Sequence, residues 1–382
     1  MNFELSDEQK MIQEMARKFA EREIKPVAAE LDRTHSHPGQ ICAKMGELGL
    51  LGVTVPEEYG GAGMDYVSYA LAMIEISKAC ASCGVIMSVC NSLYDFPVYK
   101  YGTEEQKQKF LRPVASGEAL GCYGLTEAGA GSDPAKMLTT AVPEGDEWVI
   151  NGTKRFITNG NVARYCVLAV ITDRSAGYKG ISSFIIDFEN TPGFRVGKVE
   201  EKLGISASGT AELVFEDARV PKENLLGKPG EGFRQMLTTL DGGRIGIASQ
   251  ALGIGRAALE NSIEYSKTRE QFNQPISSFQ AIQWKLADMA TQLDASELLI
   301  LRAAWLEDNK KPYEKEAAMA KLMASDTAMW ATVEGVQIFG GYGYCKDYPM
   351  ERFMRDAKIT QIYEGTNEIM RLVIARNILK GK

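Results

Sequence analysis

The stretch Thr360–Arg371 places one glutamate in a setting that can make it a general base. Glu364 follows Tyr363 and precedes Gly365, so an aromatic ring can desolvate the carboxylate on one side while the glycine lets backbone approach a ligand on the other. A desolvated carboxylate has a raised proton affinity and can remove a weakly acidic proton. The alternative is a solvated turn acid, because most glutamates in proteins are exposed.

A glycine-rich segment, Tyr123–Asp133, offers groups that can bind a phosphate or the polar edge of a ring. Gly129 and Gly131 leave backbone N–H groups accessible, and Thr126 and Ser132 add hydroxyls. A simple glycine-rich turn between two strands would give the same letters.

Three further segments combine polar groups with an aromatic ring or with glycines. At a strand end, Phe156 can cover a planar cofactor and Thr158 can donate a hydrogen bond to it, although a ring on the inner face of a barrel is the alternative. Gln337–Gly343 ends a long helix in glycines, which either approach a ligand or only stop the helix. Asp241–Arg244 opens a helix with an acid and a cation, which suits a ligand's polar tail or a capping pair.

Other motifs do not support a metal or dinucleotide site. Gly253–Ala258 has the glycine spacing of a dinucleotide fingerprint, but no strand precedes it and we reject it. Cys80 and Cys83 form a Cys-x-x-Cys pair in a predicted helix, which we interpret as core packing in preference to metal or redox chemistry. The only histidines, His35 and His37, share one short loop, so we expect no histidine base elsewhere and no metal.

Composition and charge restrict the class of protein. The chain of 382 residues allows two or three domains, and its 45% apolar and 24% charged residues are ordinary for a globular protein. The net charge of −7 opposes binding to nucleic acid or to an anionic membrane, although it still allows a local basic pocket for a phosphorylated ligand. No apolar run is long enough for a membrane span. Seven cysteines and an amino terminus without an export pattern predict a cytoplasmic protein with reduced thiols.

Two regions of different periodicity make up the first part of the chain. Residues 1–120 are predicted to form a helical domain, with capping-box patterns at Ser6 and Thr103. Residues 121–228 contain short β-rich runs between turn residues, which predicts a small antiparallel barrel or sandwich. Asn151-Gly152 is predicted to be a hairpin turn in it.

Helical spacing returns in residues 229–382. Thr366 can cap the last helix, whose first turn carries Glu368. The helices are predicted near 231–267, 278–309, 314–339 and 366–380, long enough for a four-helix bundle.

Taken together, these motifs resemble the acyl-CoA dehydrogenase family from end to end, most closely its short-chain (butyryl-CoA) branch. The fold implied is mainly α with a middle β domain: an α-helical N-terminal domain, a β-barrel or sandwich, and a C-terminal four-helix bundle. Five matches in the family's order favour Glu364 as a base over a turn acid. The motifs are YGLTEAGAGSD at 123, FITNG at 156, Arg269 with Phe272, QIFGGYG at 337 and IYEGTNE at 362.

The resemblance implies an FAD between the β domain and the C-terminal helices. Thr126 would lie near the polar edge of the ring, Thr158 close to N5, and Phe156, where many relatives have Trp, against one ring face. The cofactor-binding residues implied within one subunit are Tyr123, Leu125, Thr126, Gly131, Ser132, Phe156, Ile157 and Thr158, with Thr366, Asn367 and Glu368 closing the site. Those implied for the pyrophosphate and adenosine, from a neighbouring subunit, are Arg269, Gln280, Gln337, Ile338, Phe339, Gly340 and Gly341, so the resemblance implies a homo-oligomer, usually a tetramer. Phe272 is also implied to bind the cofactor.

The resemblance also implies a substrate and a reaction. Glu364 would remove the α-proton of a short-chain acyl-CoA while the β-hydrogen leaves as hydride to flavin N5, giving a trans-2-enoyl-CoA. The backbone N–H of Glu364 and a ribityl hydroxyl would stabilise the enolate-like carbonyl. Electrons would pass to an electron-transfer flavoprotein, as in fatty acid β-oxidation. The implied substrate-binding residues are Ser132, Asp241 and Arg244 for the CoA portion, and Tyr363 and Gly365 at the acyl end.

Two departures from other branches narrow this prediction. Gly243 stands where the isovaleryl and long-chain branches carry their base, so Glu364 has no rival in this chain. Gly84 stands where the glutaryl branch has an arginine for a distal carboxylate, so we expect no dicarboxylate substrate.

Three other functions were weighed against this one. An acyl-CoA oxidase is disfavoured by the short, single-unit chain. A noncatalytic acyl-CoA-binding protein on the same fold is disfavoured because Glu364 is retained. An NAD-linked dehydrogenase is disfavoured because the sequence contains no predicted βαβ unit.

Overall fold

The first part of the chain is helical because its apolar residues recur at helical spacing and its helix ends are capped. In the computed structural model, which describes residues 4–381, Ser6 and Thr103 form both predicted capping boxes. Residues 1–3 and 382, at the ends of the predicted first and third domains, lie outside the described part. The helices are α1 (Asp7–Phe19), α2 (Ala28–Thr34), α3 (Gly39–Glu47), α4 (Tyr66–Ala79), α5 (Ala81–Ser88), α6 (Phe96–Tyr101), α7 (Glu104–Gln106) and α8 (Arg112–Ala115).

The cysteine pair lies in the core, in keeping with its interpretation as packing. Cys80 is 7% exposed and Cys83 is fully buried. Cys80 stands at the junction of α4 and α5, where its extended backbone separates the two helices, and not inside one helix as predicted.

The middle of the chain forms one eight-stranded sheet, as the alternation of β-rich runs and turns predicts. The strands are β1 (Gly121–Gly124), β2 (Thr140–Glu144), β3 (Glu147–Thr158), β4 (Tyr165–Ile171), β5 (Ile181–Asp187), β6 (Phe194–Val199), β7 (Thr210–Pro221) and β8 (Leu225–Leu226). Their order is β6-β7-β3-β2-β4-β5-β8, and β1 pairs with β4. Most pairs are antiparallel, but β4 runs parallel to both β1 and β2.

The hairpin turn predicted at Asn151-Gly152 is wrong. Both residues lie inside β3, where Gly152 has φ +146° and the register with β7 shifts. An added Cβ at Gly152 would lie 2.5 Å from Thr139 Oγ1, so close approach requires the glycine. The chain instead reverses at Gly145-Asp146, between the paired residues Glu144 and Glu147. A bulge and a turn both favour glycine, and the dipeptide alone does not separate them.

The carboxy-terminal part is a helical bundle whose four long helices match the predicted ones within two residues at each end. They are α9 (Gly232–Thr268), α10 (Gln280–Asp308), α11 (Glu314–Phe339) and α14 (Asn367–Leu379). The structure adds two short helices and a small hairpin: α12 (Gly341–Tyr344), α13 (Met350–Thr360), β9 (Glu270–Gln271) and β10 (Gln274–Pro275).

One hydrophobic core joins the amino-terminal helices to the carboxy-terminal bundle. It includes Leu93, Ala251 and Ala328, and it extends to Tyr165 on the sheet, whose own core lies around Phe184 and its neighbours. Helix α9 packs against both α4 and α11. Across residues 4–381, the helices are too short or too polar to cross a bilayer.

Candidate active site

A cavity of about 890 Å³ lies between the sheet and the carboxy-terminal helices. Its volume falls in the range of small-molecule sites. The predicted site residues that line it are Tyr123, Leu125, Thr126, Gly131, Ser132, Phe156, Ile157, Thr158, Asp241, Arg244, Tyr363, Glu364, Gly365 and Thr366. A second cavity, of about 660 Å³, is lined largely by charged side chains of α1, α2 and α13 and contains none of them.

Glu364 lies in the loop between α13 and α14 and lines the cavity, and its Oε2 lies beside Gly243 of α9. Its φ is +52°, an uncommon value for a non-glycine residue, and Gly365 follows at +101°. Thr366 then caps α14 by accepting the Ile369 N–H, as predicted. The carboxylate atom Oε2 of Glu364 is buried and has no hydrogen-bond partner. Burial raises the pKa of Glu364 to about 7, and the positive charges of Lys321 and Arg244 limit that rise.

The glycine at position 243 makes room for this carboxylate. An added Cβ at Gly243 would lie 2.0 Å from Glu364 Oε2 and 3.1 Å from a methyl group of Leu93. No side chain other than hydrogen therefore fits on α9 at this point while Glu364 keeps its position.

Arg244 and Asp241 lie on α9 beside the same cavity. The Arg244 guanidinium is 5% exposed, and its Nη1 donates to Asp241 Oδ1. Its Nε is buried without an acceptor. Burial raises the pKa of Asp241 to about 6 although Arg244 opposes that rise. A buried cation with an unpaired donor at a cavity wall is suited to a polar ligand group.

The apolar end of the cavity is lined by residues that the sequence analysis did not single out. Val85, Val89 and Leu93 line it from α5 and from the π-helical segment Val89–Asp95, a kind of element that recurs at functional sites. Their spacing of four residues indicates a common helix face, but a core helix has the same spacing, so the pattern gave no functional signal.

Tyr363 is fixed next to this apolar end. Its hydroxyl donates to Gln250 Oε1, and Gln250 Nε2 donates to the Ala81 carbonyl at 2.8 Å. These bonds connect the Glu364 loop to α9 and to the start of α5.

The glycine-rich loop is held by a buried ion pair. Lys154 is fully buried in β3, and its Nζ donates to Glu127 Oε1 at 2.7 Å and to the Leu125 carbonyl at 3.1 Å. Glu127 also accepts backbone N–H groups of Leu138 and Thr139. An added Cβ at Gly131 would meet nothing within 4 Å, so the backbone there is open to a ligand.

The end of β3 brings Phe156 to the cavity as an exposed ring. Phe156 is 59% exposed and has φ +59°, and both values disfavour the alternative of an inward-facing barrel residue. Thr158, two residues on, also lines the cavity, as does Ile157 between them, although Ile157 is only 3% exposed.

The remaining predicted residues do not line this cavity. Asn367 is buried behind the loop and Glu368 is exposed on the first turn of α14. Arg269 and Phe272 lie between α9 and α10, with Phe272 87% exposed. The others are at the start of α10 or the end of α11: Gln280, Gln337, Ile338, Phe339, Gly340 and Gly341.

Other lining residues were also missed by the sequence analysis. Glu314 and Arg376 form an ion pair beside the cavity, and neither belongs to a motif. Apolar side chains contribute from α9 and α14, namely Leu237, Leu240, Ile369, Leu372 and Val373. Lys321 in α11 contacts the Glu364 loop. It lies in an alanine-rich helix and belongs to no motif, so the sequence did not indicate a functional role for it.

The donors and the space in this cavity fit a planar cofactor beside an acyl thioester. The Glu364 carboxylate and the Arg244 Nε are both buried and unpaired, which leaves one acceptor and one donor for a ligand. Open backbone at Gly131 and the exposed Phe156 ring line the sheet side of the cavity. Apolar residues line the other end.

Comparison with known proteins identifies the family. The chain matches the acyl-CoA dehydrogenase N-terminal domain over residues 6–118, the middle domain over 122–218 and the C-terminal domain over 230–379. It is 54% identical to the mitochondrial short-chain specific acyl-CoA dehydrogenase of Bos taurus, over 99% of this chain and 92% of that protein.

Two solved structures are similar over their whole length. Butyryl-CoA dehydrogenase from Megasphaera elsdenii is 46% identical with a TM-score of 0.97, covering 99% of this chain and 100% of that chain. A chain in the structure of the electron transferring flavoprotein of Acidaminococcus fermentans is 53% identical with a TM-score of 0.98, covering 100% of both chains. The chain therefore belongs to the acyl-CoA dehydrogenase family.

Proposed function

We propose that this enzyme removes the α and β hydrogens of a short-chain acyl-CoA and yields the trans-2-enoyl-CoA. The observation that carries the proposal is the Glu364 carboxyl group, unpaired and buried at the wall of a cavity large enough for a cofactor and a thioester. The short-chain relatives at more than half identity support the substrate class.

FAD fits the sheet side of the cavity. The loop from Tyr123 to Ser132 would hold it through open backbone and the Thr126 hydroxyl, and Phe156 and Thr158 would contact its ring. Bound FAD supplies the acceptor for the hydride that leaves the β-carbon. The strained φ of Phe156 is in keeping with a binding role, because such values cluster at functional sites.

The proton step belongs to Glu364. An α-proton of a thioester is weakly acidic, so its removal needs a base whose pKa lies near the working pH and donors aimed at the carbonyl oxygen. A pKa of about 7 meets the first need. We assign the stabilisation of the carbonyl oxygen to the backbone N–H of Glu364. The positive φ of this residue sets the direction of that N–H relative to its carboxylate.

The two ends of the substrate would lie on different elements. Asp241, Arg244 and Ser132 would meet the CoA portion, and Tyr363 and Gly365 would flank the acyl group. Val85, Val89 and Leu93, which line the cavity, would close its apolar end, so the acyl chain would be short.

The electron acceptor and assembly follow from the family in the same way. We propose that electrons pass to an electron-transfer flavoprotein and that the enzyme is a cytoplasmic homotetramer. Arg269, Phe272, Gln280 and Gln337–Gly341 would then complete the cofactor site of a neighbouring subunit, since in their own subunit none of them lines the cavity.

The proposal is tested by anaerobic titration of the FAD-loaded enzyme with saturated acyl-CoAs of increasing length. We expect chains of about four to six carbons to bleach the flavin most completely, because longer chains meet the closed apolar end. Stronger bleaching by long chains would contradict the short-chain assignment.

Substitution of the base tests the mechanism. Glu364→Gln keeps the shape of the side chain but cannot accept the α-proton, so we expect flavin reduction to slow by about 10²–10⁴-fold. FAD content serves as the control and should be unchanged. If the flavin of Glu364→Gln is reduced at the wild-type rate, Glu364 is not the base.

A further inference from the structure

Lys321 is a fully buried lysine in α11 that reaches the loop carrying Glu364. Its Nζ donates to the Gly365 carbonyl at 2.8 Å and to Asn367 Oδ1 at 2.9 Å. Within residues 4–381 no carboxylate lies within 4 Å of this Nζ, whereas the other fully buried lysine, Lys154, is paired directly with Glu127. A buried cation without a contact counterion is costly, so its position calls for a functional explanation.

The two hydrogen bonds of Lys321 are to residues within or next to the positive-φ part of the loop. Gly365 directly follows Glu364, and both residues have positive φ. Asn367 is the first residue of α14. A second connection to α11 lies alongside, because Asp326 Oδ1 accepts from Gln361 and from Asn367, each at 2.7 Å. The loop is therefore fastened to one helix on both sides of the carboxylate.

The charged groups around Lys321 and Glu364 affect the pKa of both side chains. Burial lowers the pKa of Lys321 to about 7, and the positive charge of Arg244 also lowers it. The negative charges of Glu364, Asp326 and Glu368 act in the opposite direction. On the other side, Lys321 and Arg244 are the cations that favour the ionised form of Glu364. Arg244 already contacts Asp241, so its charge is partly balanced. Two tyrosines, Tyr69 and Tyr363, also face Glu364.

We propose that Lys321 is a positioning residue for proton removal, which holds the Glu364 loop in its positive-φ form and supplies a positive charge that favours the ionised carboxylate. It acts through the Gly365 carbonyl and through its field, and it touches neither substrate nor cofactor. This inference rests on the proposed role of Glu364 as the base.

The test isolates the proton step with acetyl-CoA, whose acyl group has α-hydrogens but no β-hydrogen. In D2O, Glu364 can take a methyl proton and a deuteron can return to the same carbon, which NMR follows without any net oxidation. We expect Lys321→Met and Lys321→Gln to slow this exchange by about 10²-fold at neutral pH, the scale of a misplaced catalytic group. The apparent pKa of the exchange should move upwards in both, because the carboxylate loses a favourable positive charge.

Two variants separate this role from simple structural support. Lys78→Met removes a lysine of α4 that pairs with Glu75 and Glu260 and does not line the cavity that contains Glu364, and its exchange should match that of the wild type. Lys321→Gln retains a hydrogen-bond donor and guards against a failure to fold in Lys321→Met. FAD content and melting temperature, measured on both Lys321 variants, report structural loss.

The outcomes distinguish the inference from the proposed function. Slower exchange with a raised apparent pKa and normal FAD content supports the positioning role. Exchange like that of the wild type in Lys321→Gln, or a uniform loss at every pH, overturns it, provided that Glu364→Gln still abolishes exchange. If the wild-type enzyme itself does not exchange, the proposed base fails and this inference fails with it.

Discussion

At the scale of single residues, Glu364 has a pKa that ties activity to pH. Burial raises this pKa to about 7 from its usual value near 4.5, so the group is protonated and inactive as a base below that pH. We expect kcat/KM for a short acyl-CoA to fall about tenfold for each pH unit below 7, the slope of a single proton. Steady-state rates between pH 5 and 8 measure it. The residual rate of Glu364→Gln should not change with pH in this range. A wild-type profile that is equally flat would show that ionisation of Glu364 does not control the rate.

Gly243 offers a second test at the residue scale, because α9 has a neighbouring glycine for comparison. A methyl group at position 243 would strike Glu364 Oε2 at 2.0 Å, whereas one at Gly242 would have its nearest neighbour at 3.6 Å, an ordinary contact. We expect Gly243→Ala to lower kcat by about 10²-fold by displacing the base. Gly242→Ala should keep its activity and gain about 0.5–1 kcal/mol of stability from helix propensity.

At the scale of elements, the ion pair between Lys154 and Glu127 fastens the glycine-rich loop to β3. Lys154→Met would leave Glu127 buried and unpaired, so we expect the free energy of unfolding to fall by about 3–5 kcal/mol. Urea denaturation measures this change. Lys136→Met, which removes only the exposed partner of Asp133, should cost about 0–1 kcal/mol. A double variant, Glu127→Gln with Lys154→Met, should recover part of the loss, and no recovery would argue against the pair as the cause.

The elements themselves could largely be predicted, because local patterns determine them. The capping boxes at Ser6 and Thr103 and the bounds of the long helices come from contacts within a few residues, which sequence spacing records. The bulge at Gly152 could not be separated from a turn, because its cause is the approach of Thr139 from a neighbouring strand. The same applies to Lys321, whose partners are 44 and 46 residues away.

The site residues that belong to motifs could be predicted from the sequence, and those brought to the cavity by tertiary packing could not. Glu364, Thr126 and Phe156 stand in recognisable segments and do line the cavity. Val89 and Leu93 line it too, but their letters are those of any buried helix. Which helix faces a ligand depends on the three-dimensional arrangement, and no local pattern contains that information.

At the scale of the whole molecule, a shared core couples the regions that form the site. Because the first and third regions contribute to one hydrophobic cluster, we propose that the boundaries of the domains 1–120, 121–228 and 229–382 mark changes of secondary structure and not independently stable units. The cavity at their junction then has rigid walls, since moving any wall would expose buried apolar surface.

We propose that an exposed aromatic surface outside the cavity is where a second copy binds. Phe272 and Tyr344 are 87% and 83% exposed, and the half-exposed Tyr342 lies under the Arg269 guanidinium at 5.8 Å. These residues belong to or adjoin the segments that the family resemblance assigns to a neighbouring subunit's cofactor. Contiguous exposed apolar patches mark interaction surfaces.

Phe272→Asp therefore tests assembly and cofactor binding together. A buried, unpaired carboxylate at a subunit contact is strongly unfavourable, so we expect the variant to sediment as a smaller species and to lose FAD. Analytical ultracentrifugation and the flavin absorbance per chain measure both effects. Met11→Asp, at a residue 71% exposed on α1, is the matched control and should keep the wild-type assembly and FAD content. A Phe272→Asp variant that keeps the wild-type mass and colour would show that this ring faces solvent in the assembled enzyme, and the cofactor site would then have to be complete within one subunit.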